Sequence, residues 1–198
     1  MWDDRYSAPG YAYGVEPNDF LAASRERLPD NGKVLCLAEG EGRNAVWLAR
    51  QGFAVSAVDS SSVGLGKAQE LAHRHAVEIT TIHADLADFI IEPAAWDAIV
   101  SIFCHLPPPL RRDVHARCVA GLRLGGVLLL EAYTPRQLEF KTGGPPVVDM
   151  MMDSASLTEE LQGLEFLHLQ EITRDIHEGE FHHGTGAVVQ MIARRPLA

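Results

Sequence analysis

The sequence predicts an α/β fold: a doubly wound, mostly parallel sheet with helices on both faces. Short apolar segments typical of strands alternate with helical segments through residues 33–133, and turn residues separate them. In addition, the run VLLLEA at residues 127–132 is apolar on both of its faces, as expected for a strand inside such a sheet. At 198 residues, the chain is long enough for one domain with a substantial core.

The first unit of this fold, residues 33–59, has the order strand, glycine-rich turn, helix, strand, acid. Gly40 and Gly42 allow the backbone to approach a ligand closely, and the helix over residues 43–51 presents its first N–H groups to the turn. Asp59, at the end of the second strand, offers a carboxylate to vicinal hydroxyls. The unit therefore predicts a ligand with a charged tail and a sugar. The alternative is an ordinary βαβ unit with a tight turn.

The other elements follow from periodicity and from turn residues. Residues 1–30 hold an aromatic arm and a helix, residues 33–133 the core, residues 134–153 a loop or lid, and residues 164–195 a hairpin with a long loop. The arm contains Trp2, Tyr6, Tyr11 and Tyr13 and either folds over a pocket or packs on the surface. Helices are expected over residues 19–27, 43–51, 60–75, 110–122 and 156–161, and strands over residues 34–37, 53–59, 78–83, 96–103, 127–132, 165–176 and 187–193.

Composition excludes several classes of partner. Lys and Arg total 17 against 27 Asp and Glu, and no basic run is present, so no nucleic-acid partner is expected. The sequence lacks a run of ~20 apolar residues and begins with a polar segment, which predicts no membrane partner and a cytoplasmic location. Three widely spaced cysteines, Cys36, Cys104 and Cys118, are expected in the core of a reduced protein, and they predict neither disulfides nor a metal site.

The residues of the turn bear on the ligand's identity. Residues 40–45 satisfy the pattern G-x-G-x-x-A, so an NAD-dependent oxidoreductase is one alternative. However, Glu39 and Glu41 are poor neighbours for a pyrophosphate and suit a ligand that carries an ammonium and a sulfonium. Asp85 ends the third strand, where an adenine amino group can be recognised. These charges favour S-adenosylmethionine as the cofactor.

Five motifs carry a resemblance to a known family. They are VLCLAEGEGRNAVWLA, AVDSS, HADL, WDAIVSIFCHLP and the glycine-containing turn before VLLLEAY, in this order along the chain. With them, the sequence resembles the class I S-adenosylmethionine-dependent methyltransferases, and within that class the tellurite-resistance and thiopurine methyltransferase-like group. The resemblance extends from Trp2 through the terminal hairpin. It implies a Rossmann-like sheet of seven strands whose last strand is antiparallel and is supplied by the C-terminal hairpin.

The resemblance also implies roles for individual residues. The turn at residues 38–42 would hold the methionine part, Asp59 the ribose and Asp85 the adenine, while the end of the fourth strand would face the sulfonium. The predicted cofactor-binding residues are Ala38, Glu39, Gly40, Gly42, Asp59, Ser60, Asp85, Leu86, Phe103 and Cys104. Two positions depart from the class, which usually has an acid at Cys36 and a glycine at Ala38. Since a thiol cannot accept a charged hydrogen bond as a carboxylate does, Glu39 or water is expected to meet the ammonium.

Methyl transfer from a sulfonium is an in-line displacement from an activated donor, so alignment and exclusion of water contribute most. A base is needed only for an acceptor that must lose a proton. The predicted catalytic residues are His105, Glu131 and Tyr133, which follow or end strands at the ligand-binding edge. For His105 the alternative is a hydrogen bond to a loop carbonyl. Glu131, in an apolar run, has to be paired or solvated.

The acceptor is expected to be a small molecule: a thiol, a chalcogen oxyanion or another heteroatom compound, bound by a monomer or homodimer. A non-catalytic S-adenosylmethionine sensor is the second alternative. His177, His182 and His183 surround a turn and are expected at a solvated hairpin tip, which could close over the acceptor, rather than at a metal site. Arg111 and Arg112 are expected on a solvated helix face, unless they attract an anionic acceptor.

Overall fold

The computed structural model describes residues 2–197, and within them seven strands form a single mixed sheet. The strands are β1 (Lys33–Leu37), β2 (Ala54–Asp59), β3 (Thr80–His83), β4 (Trp96–Ile102), β5 (Leu122–Tyr133), β6 (Glu165–Glu178) and β7 (His182–Arg194). Their order across the sheet is β3-β2-β1-β4-β5-β7-β6. The first five are parallel, and β7 pairs antiparallel with both β5 and β6. The predicted fold class and the antiparallel C-terminal hairpin are confirmed.

Helices cover both faces of the sheet. They are α1 (Trp2–Tyr6), α2 (Asp19–Ala23), α3 (Arg43–Arg50), α4 (Ser62–Arg74), α5 (Pro108–Gly121) and α6 (Ser154–Glu160), with 3-10 helices at Arg25–Arg27, Pro135–Glu139 and Val148–Met150. Alternation along β1 separates two cores: Val34 and Cys36 pack with residues of α3 and α4, whereas Leu35 and Leu37 pack with residues of α5 and α6. Within residues 2–197, no helix is both long and apolar enough to cross a membrane.

The N-terminal helices differ from the prediction. The arm contains the short helix α1, which the aromatic sequence did not indicate. The helix expected over residues 19–27 ends at Ala23 and continues as a 3-10 turn. Asn18 is its N-cap as predicted, because its Oδ1 accepts a hydrogen bond of 3.0 Å from the amide of Leu21.

Two later elements are longer than predicted. Helix α5 starts at Pro108 because proline at the first helical position lacks an N–H that would be unsatisfied there anyway. The expected long hairpin loop is wrong, since β6 and β7 extend to Glu178 and His182. Gly186 lies inside β7 and leaves room for Ile176, whose side chain would be 2.5 Å from an added Cβ.

The strand order reverses between β1 and β4, because the chain proceeds from β1 to β2 and β3 on one side and reaches β4 and β5 on the other. In open α/β sheets, ligands bind in the crevice at the carboxyl ends of the strands beside this switch point. The candidate site therefore lies at the carboxyl ends of β1 and β4.

Candidate active site

Strained backbone marks the switch point on both strands. Ala38 follows β1 with φ 47°, and Phe103 follows β4 with φ 51°. A side chain in this left-handed region costs about 1–3 kcal/mol and persists only where the surrounding structure fixes it, as is frequent at ligand sites. The two neighbouring strands thus both turn sharply at the crevice.

The two glycines of the turn have different roles. Gly42 has φ 87°, and a Cβ there would lie 2.5 Å from the Cβ of Ala68, so this glycine permits close packing of α3 against α4. Gly40 has φ 62°, and a Cβ there would lie 2.5 Å from the hydroxyl of Tyr6. The missing side chain of Gly40 therefore opens the turn toward the crevice, where the aromatic arm fills the space.

Asp59 is fixed beside the turn. Its Oδ2 accepts a hydrogen bond of 2.8 Å from the Gly40 amide, and its Oδ1 accepts one of 2.8 Å from the Ser61 amide. Burial raises the pKa of Asp59, and the backbone hydrogen bonds oppose this rise. Each carboxylate oxygen retains a lone pair, so the group can accept further hydrogen bonds from hydroxyls. Ser60 follows it at the same edge and is exposed.

The remaining predicted cofactor residues lie at the same edge. Asp85 and Leu86 follow β3; Asp85 is exposed, with its Oδ1 2.8 Å from the Ala87 amide, and Leu86 is buried. Phe103 and Cys104 follow β4, and Cys104 is buried. The structure thus aligns these positions with the glycine turn along the carboxyl ends of β1 to β4.

Glu39 is engaged by the helix that follows the turn. Its Oε1 accepts a hydrogen bond of 2.7 Å from the Ala45 amide in the first turn of α3. Burial raises the pKa of Glu39 to about 7, and backbone hydrogen bonds and Arg43 oppose the rise. Cys36 is buried beside it, and burial together with the charge of Glu39 raises the pKa of the thiol. One oxygen of Glu39 therefore caps the first turn of α3.

The N-terminal arm, residues 2–14, lies over the glycine turn. The buried ring of Tyr6 packs against both Gly40 and Gly64. The amide of Ala12 donates a hydrogen bond of 2.7 Å to Glu41 Oε2, and the Ala12 carbonyl accepts one of 3.0 Å from the Glu180 amide. The arm therefore connects the turn to the tip of the hairpin.

Glu131 lies at the centre of a buried ionic network. It is fully buried, and its Oε2 is 2.7 Å from Arg174 Nη2 and 2.6 Å from Asn18 Nδ2. Its Oε1 accepts hydrogen bonds from Arg174 Nε at 3.0 Å and from Gln190 at 2.7 Å. Glu131 is thus paired and not solvated, which were the two states expected from the sequence.

His105 and Tyr133 belong to an aromatic cluster, which we define as Tyr13, Phe103, His105, Tyr133 and His182. The Tyr133 ring lies 4.6 Å from Phe103, 5.7 Å from His105 and 5.3 Å from His182 between centroids. His105 Nδ1 is 3.1 Å from the Met150 carbonyl, and its Nε2 is 3.3 Å from the Tyr133 amide. Burial lowers the pKa of His105 to about 4. The backbone therefore occupies both ring nitrogens of His105.

Two polar groups of the cluster are buried without a partner. The Tyr133 hydroxyl and His182 Nδ1 have no hydrogen-bond partner in the described part of the chain. Buried polar groups are almost always paired, so the Tyr133 hydroxyl is available to a bound molecule, whereas His182 Nδ1 faces Glu178 Oε2 at 3.7 Å. His182 was not among the predicted catalytic residues, although the three histidines near the turn were a signal.

Arg111 is not on a solvated helix face, so that expectation is wrong. It is buried, and its Nη2 lies 2.7 Å from Glu160 Oε1, while its Nη1 donates to the Asp149 and Met151 carbonyls at 3.0 Å. Arg111 therefore links α5 to α6 and to the loop that precedes α6.

Comparison with known proteins agrees with this geometry. Residues 34–126 match a family model described as a methyltransferase domain. A search of curated proteins found no match. The structure of TehB from Haemophilus influenzae superposes with a TM-score of 0.71 at 22% identity, covering 89% of this chain and 61% of TehB. A SAM-dependent methyltransferase from Methanosarcina mazei superposes with a TM-score of 0.71 at 13% identity, covering 93% of this chain and 100% of that one.

A third similar structure comes from work on the conversion of a disulfide bond into a thioacetal group during echinomycin biosynthesis. It has a TM-score of 0.77 at 17% identity and covers 98% of this chain and 88% of its own. These structural likenesses show the fold. The match over residues 34–126 confirms the predicted enzyme class, an S-adenosylmethionine-dependent methyltransferase, and its cofactor.

Proposed function

We propose that this protein transfers the methyl group of S-adenosylmethionine to a small-molecule heteroatom acceptor that binds in the aromatic cluster. The observation that carries the proposal is the position of the cluster: Phe103 directly follows β4 beside the glycine turn, and its ring stacks on Tyr133, whose hydroxyl has no partner in the described part of the chain. An acceptor bound there would stand at the carboxyl ends of β4 and β5, next to the predicted cofactor residues.

The predicted cofactor residues fit S-adenosylmethionine. Each Asp59 oxygen accepts one backbone hydrogen bond and keeps a lone pair for a ribose hydroxyl, and Gly40 has no side chain to hinder a ligand once the Tyr6 ring moves away. In this proposal, residues 38–42 hold the methionine part, Asp85 and Leu86 the adenine, and Phe103 with Cys104 the sulfonium side. When bound, the cofactor supplies a methyl group that is already activated, so the protein contributes mainly alignment.

The charges around the cluster favour an uncharged acceptor, such as a thiol, over a chalcogen oxyanion. An anion would need an available cation, but Arg43 is paired with Glu178 at 2.6 Å and Arg174 with Glu131 at 2.7 Å. Arg5 of the arm donates to the neutral Tyr13 hydroxyl at 2.6 Å, so its charge is the one that an anionic acceptor would have to recruit. The likeness to TehB supports a place in the tellurite-resistance and thiopurine methyltransferase-like group.

The arm and the loop after β5 exclude water in this proposal. Tyr6 covers Gly40, and Gly143 and Gly144 lie against the Tyr133 ring. We infer that the arm opens for the cofactor to enter and closes over it, which protects the transfer from solvent.

The three cysteines are free and buried, which supports the expected cytoplasmic location.

A turnover screen tests the proposal. Purified protein is incubated with S-adenosylmethionine and, separately, a thiol, selenite, tellurite or an amine, and methylated product is quantified by mass spectrometry. We expect product from the wild-type protein with the thiol, and product formation about 5- to 150-fold slower with Asp59→Ala at the same limiting cofactor concentration. Cofactor binding without methylation of any acceptor would instead support a sensor, and binding of NADH in place of S-adenosylmethionine would support the oxidoreductase.

A further inference from the structure

His182 is the histidine of the hairpin that points into the aromatic cluster. It begins β7, it is 9% exposed, and its ring centroid lies 4.6 Å from Tyr13, 4.7 Å from Phe103 and 5.3 Å from Tyr133. Phe103 is one of the two strained residues at the switch point. The imidazole therefore lies beside the place where an acceptor would meet the methyl donor.

The other histidines near this site are engaged elsewhere. Both ring nitrogens of His105 face backbone groups, the Met150 carbonyl and the Tyr133 amide. His177 and His183 are exposed and contact each other, with their Nδ1 atoms 3.4 Å apart. A base must have a ring nitrogen free for the proton, and His182 meets that condition.

Glu178 faces the His182 ring and is held in place by other residues. Its Oε2 lies 3.7 Å from His182 Nδ1, beyond hydrogen-bond distance but close enough for a small shift to form the bond. The carboxylate is 2.6 Å from Arg43 and accepts a hydrogen bond of 2.8 Å from Asn18. Burial opposes ionisation of Glu178, but His182, Arg43 and Arg174 outweigh it and lower its pKa to about 2. A fixed carboxylate favours the tautomer with the proton on Nδ1 and leaves the lone pair on Nε2.

We propose that His182 is the general base of this enzyme: its Nε2 removes the proton of the acceptor's heteroatom, and Glu178 orients and stabilises the resulting imidazolium. The inference rests on the proposed function. The electron pair of the acceptor's X–H bond forms the new bond to the methyl carbon, the pair of the methyl–sulfonium bond leaves with the donor's sulfur, and the proton goes to Nε2. The acceptor therefore belongs to the class that carries a removable proton, such as an alkyl thiol.

The surroundings of His182 keep it neutral and thus able to accept a proton. Burial lowers its pKa, Glu178 opposes this shift, and the positive charges of Arg43 and Arg5 add to it. Three other charged or titratable groups face the ring or its carboxylate partner: Tyr13, Tyr133 and Arg174. His105 also lies close enough to interact electrostatically with His182.

The test compares three acceptor probes in wild type, His182→Gln and the matched control His183→Gln, which changes the exposed neighbour. Benzyl thiol needs a base near neutral pH, and pyridine has no proton to lose. The third probe, 4-nitrothiophenol, is already a thiolate at this pH and is supplied at saturating concentration, because an anion should bind weakly here. For His182→Gln we expect a loss of about 10²–10⁴-fold in kcat with benzyl thiol and little change with 4-nitrothiophenol. His183→Gln should behave as wild type. Binding of S-adenosylhomocysteine, measured by calorimetry, reports whether each variant is folded.

A second readout does not depend on turnover. NMR titration of the histidine ring signals should show that Glu178→Asp lowers the pKa of His182, because the shorter side chain keeps the negative charge but moves it away from the ring. Equal losses with both thiols would overturn the inference, because they indicate a structural role, and so would wild-type methylation of pyridine alone. The latter result would leave the proposed function intact, whereas no methylation of any probe by wild type would count against that function.

Discussion

Arg43 and Glu178 form a buried ion pair in which Arg43 Nη2 lies 2.6 Å from Glu178 Oε2. Arg43 is the first residue of α3, directly after Gly42, and Glu178 is the last residue of β6. The pair therefore joins the glycine turn to the hairpin that carries His182. Through it, the two halves of the proposed site are held in one arrangement, although 135 residues separate the partners in sequence.

Breaking this pair should be costly. Arg43→Met leaves the buried Glu178 carboxylate with fewer partners, and we expect a loss of about 3 kcal/mol or more in the free energy of unfolding, measured in urea. The control is Arg50→Met, which removes an exposed arginine from the other end of α3. Similar stability of the two variants would show that the pair contributes nothing.

The two glycines Gly42 and Gly66 should respond in opposite ways to alanine. Gly42→Ala forces a positive φ and a contact of 2.5 Å with Ala68, so we expect a loss of about 2–4 kcal/mol in urea unfolding. Gly66 lies within α4, and an added Cβ would meet nothing within 4 Å. Gly66→Ala should stabilise by about 0.5–1 kcal/mol. A tolerated Gly42→Ala would contradict the close packing of α3 on α4.

Asp59→Ala should weaken binding of S-adenosylhomocysteine by about 1–3 kcal/mol, because charge-assisted hydrogen bonds to the ribose are lost. The measurement is calorimetric titration of a variant whose circular dichroism matches wild type. Asp88→Ala, at an exposed acid after β3, is the control and should bind as wild type. Unchanged affinity of a folded Asp59→Ala would refute the ribose assignment.

Stability should fall as the pH drops from about 6.5 toward 4. Burial holds the pKa of His105 at about 4, so in this window the unfolded chain binds a proton that the native protein does not. The native state therefore loses on the order of 2–3 kcal/mol relative to the unfolded state. His105→Gln should remove this part of the pH dependence, while His73→Gln, an exposed site, should not. Identical profiles for both variants and wild type would contradict the buried neutral state of His105.

The parts of the site that lie within short sequence segments could be predicted. Asp59 and the turn at residues 38–42 lie at the carboxyl ends of strands. Because the carboxyl ends of parallel strands lie at one edge of the sheet, predicting the strands also predicts that these residues share that edge. Glu131 could be expected to be paired because an acid in an apolar run must be. Its partner Arg174 could not be predicted, since it lies 43 residues later on another strand.

The parts that depend on tertiary register could not be predicted. Gly184 suggested a loop, yet it lies in β7 paired with Ile176, because packing across the hairpin outweighs the preference of glycine for turns. Which of His182 and His183 faces inward depends on that register. Arg111 appeared solvated because its partner Glu160 is 49 residues away and meets it only in the folded core.

The choice of cofactor is tested by a pair of calorimetric titrations of the wild-type protein, one with S-adenosylhomocysteine and one with NADH. We expect micromolar binding of S-adenosylhomocysteine, since Asp59 and the glycine turn suit a ribose and a cationic tail. We expect no heat from NADH, since the cations beside the turn, Lys67 and Arg43, are already paired with Glu41 and Glu178 and leave no charge for a pyrophosphate. Micromolar binding of NADH with no binding of S-adenosylhomocysteine would contradict this choice.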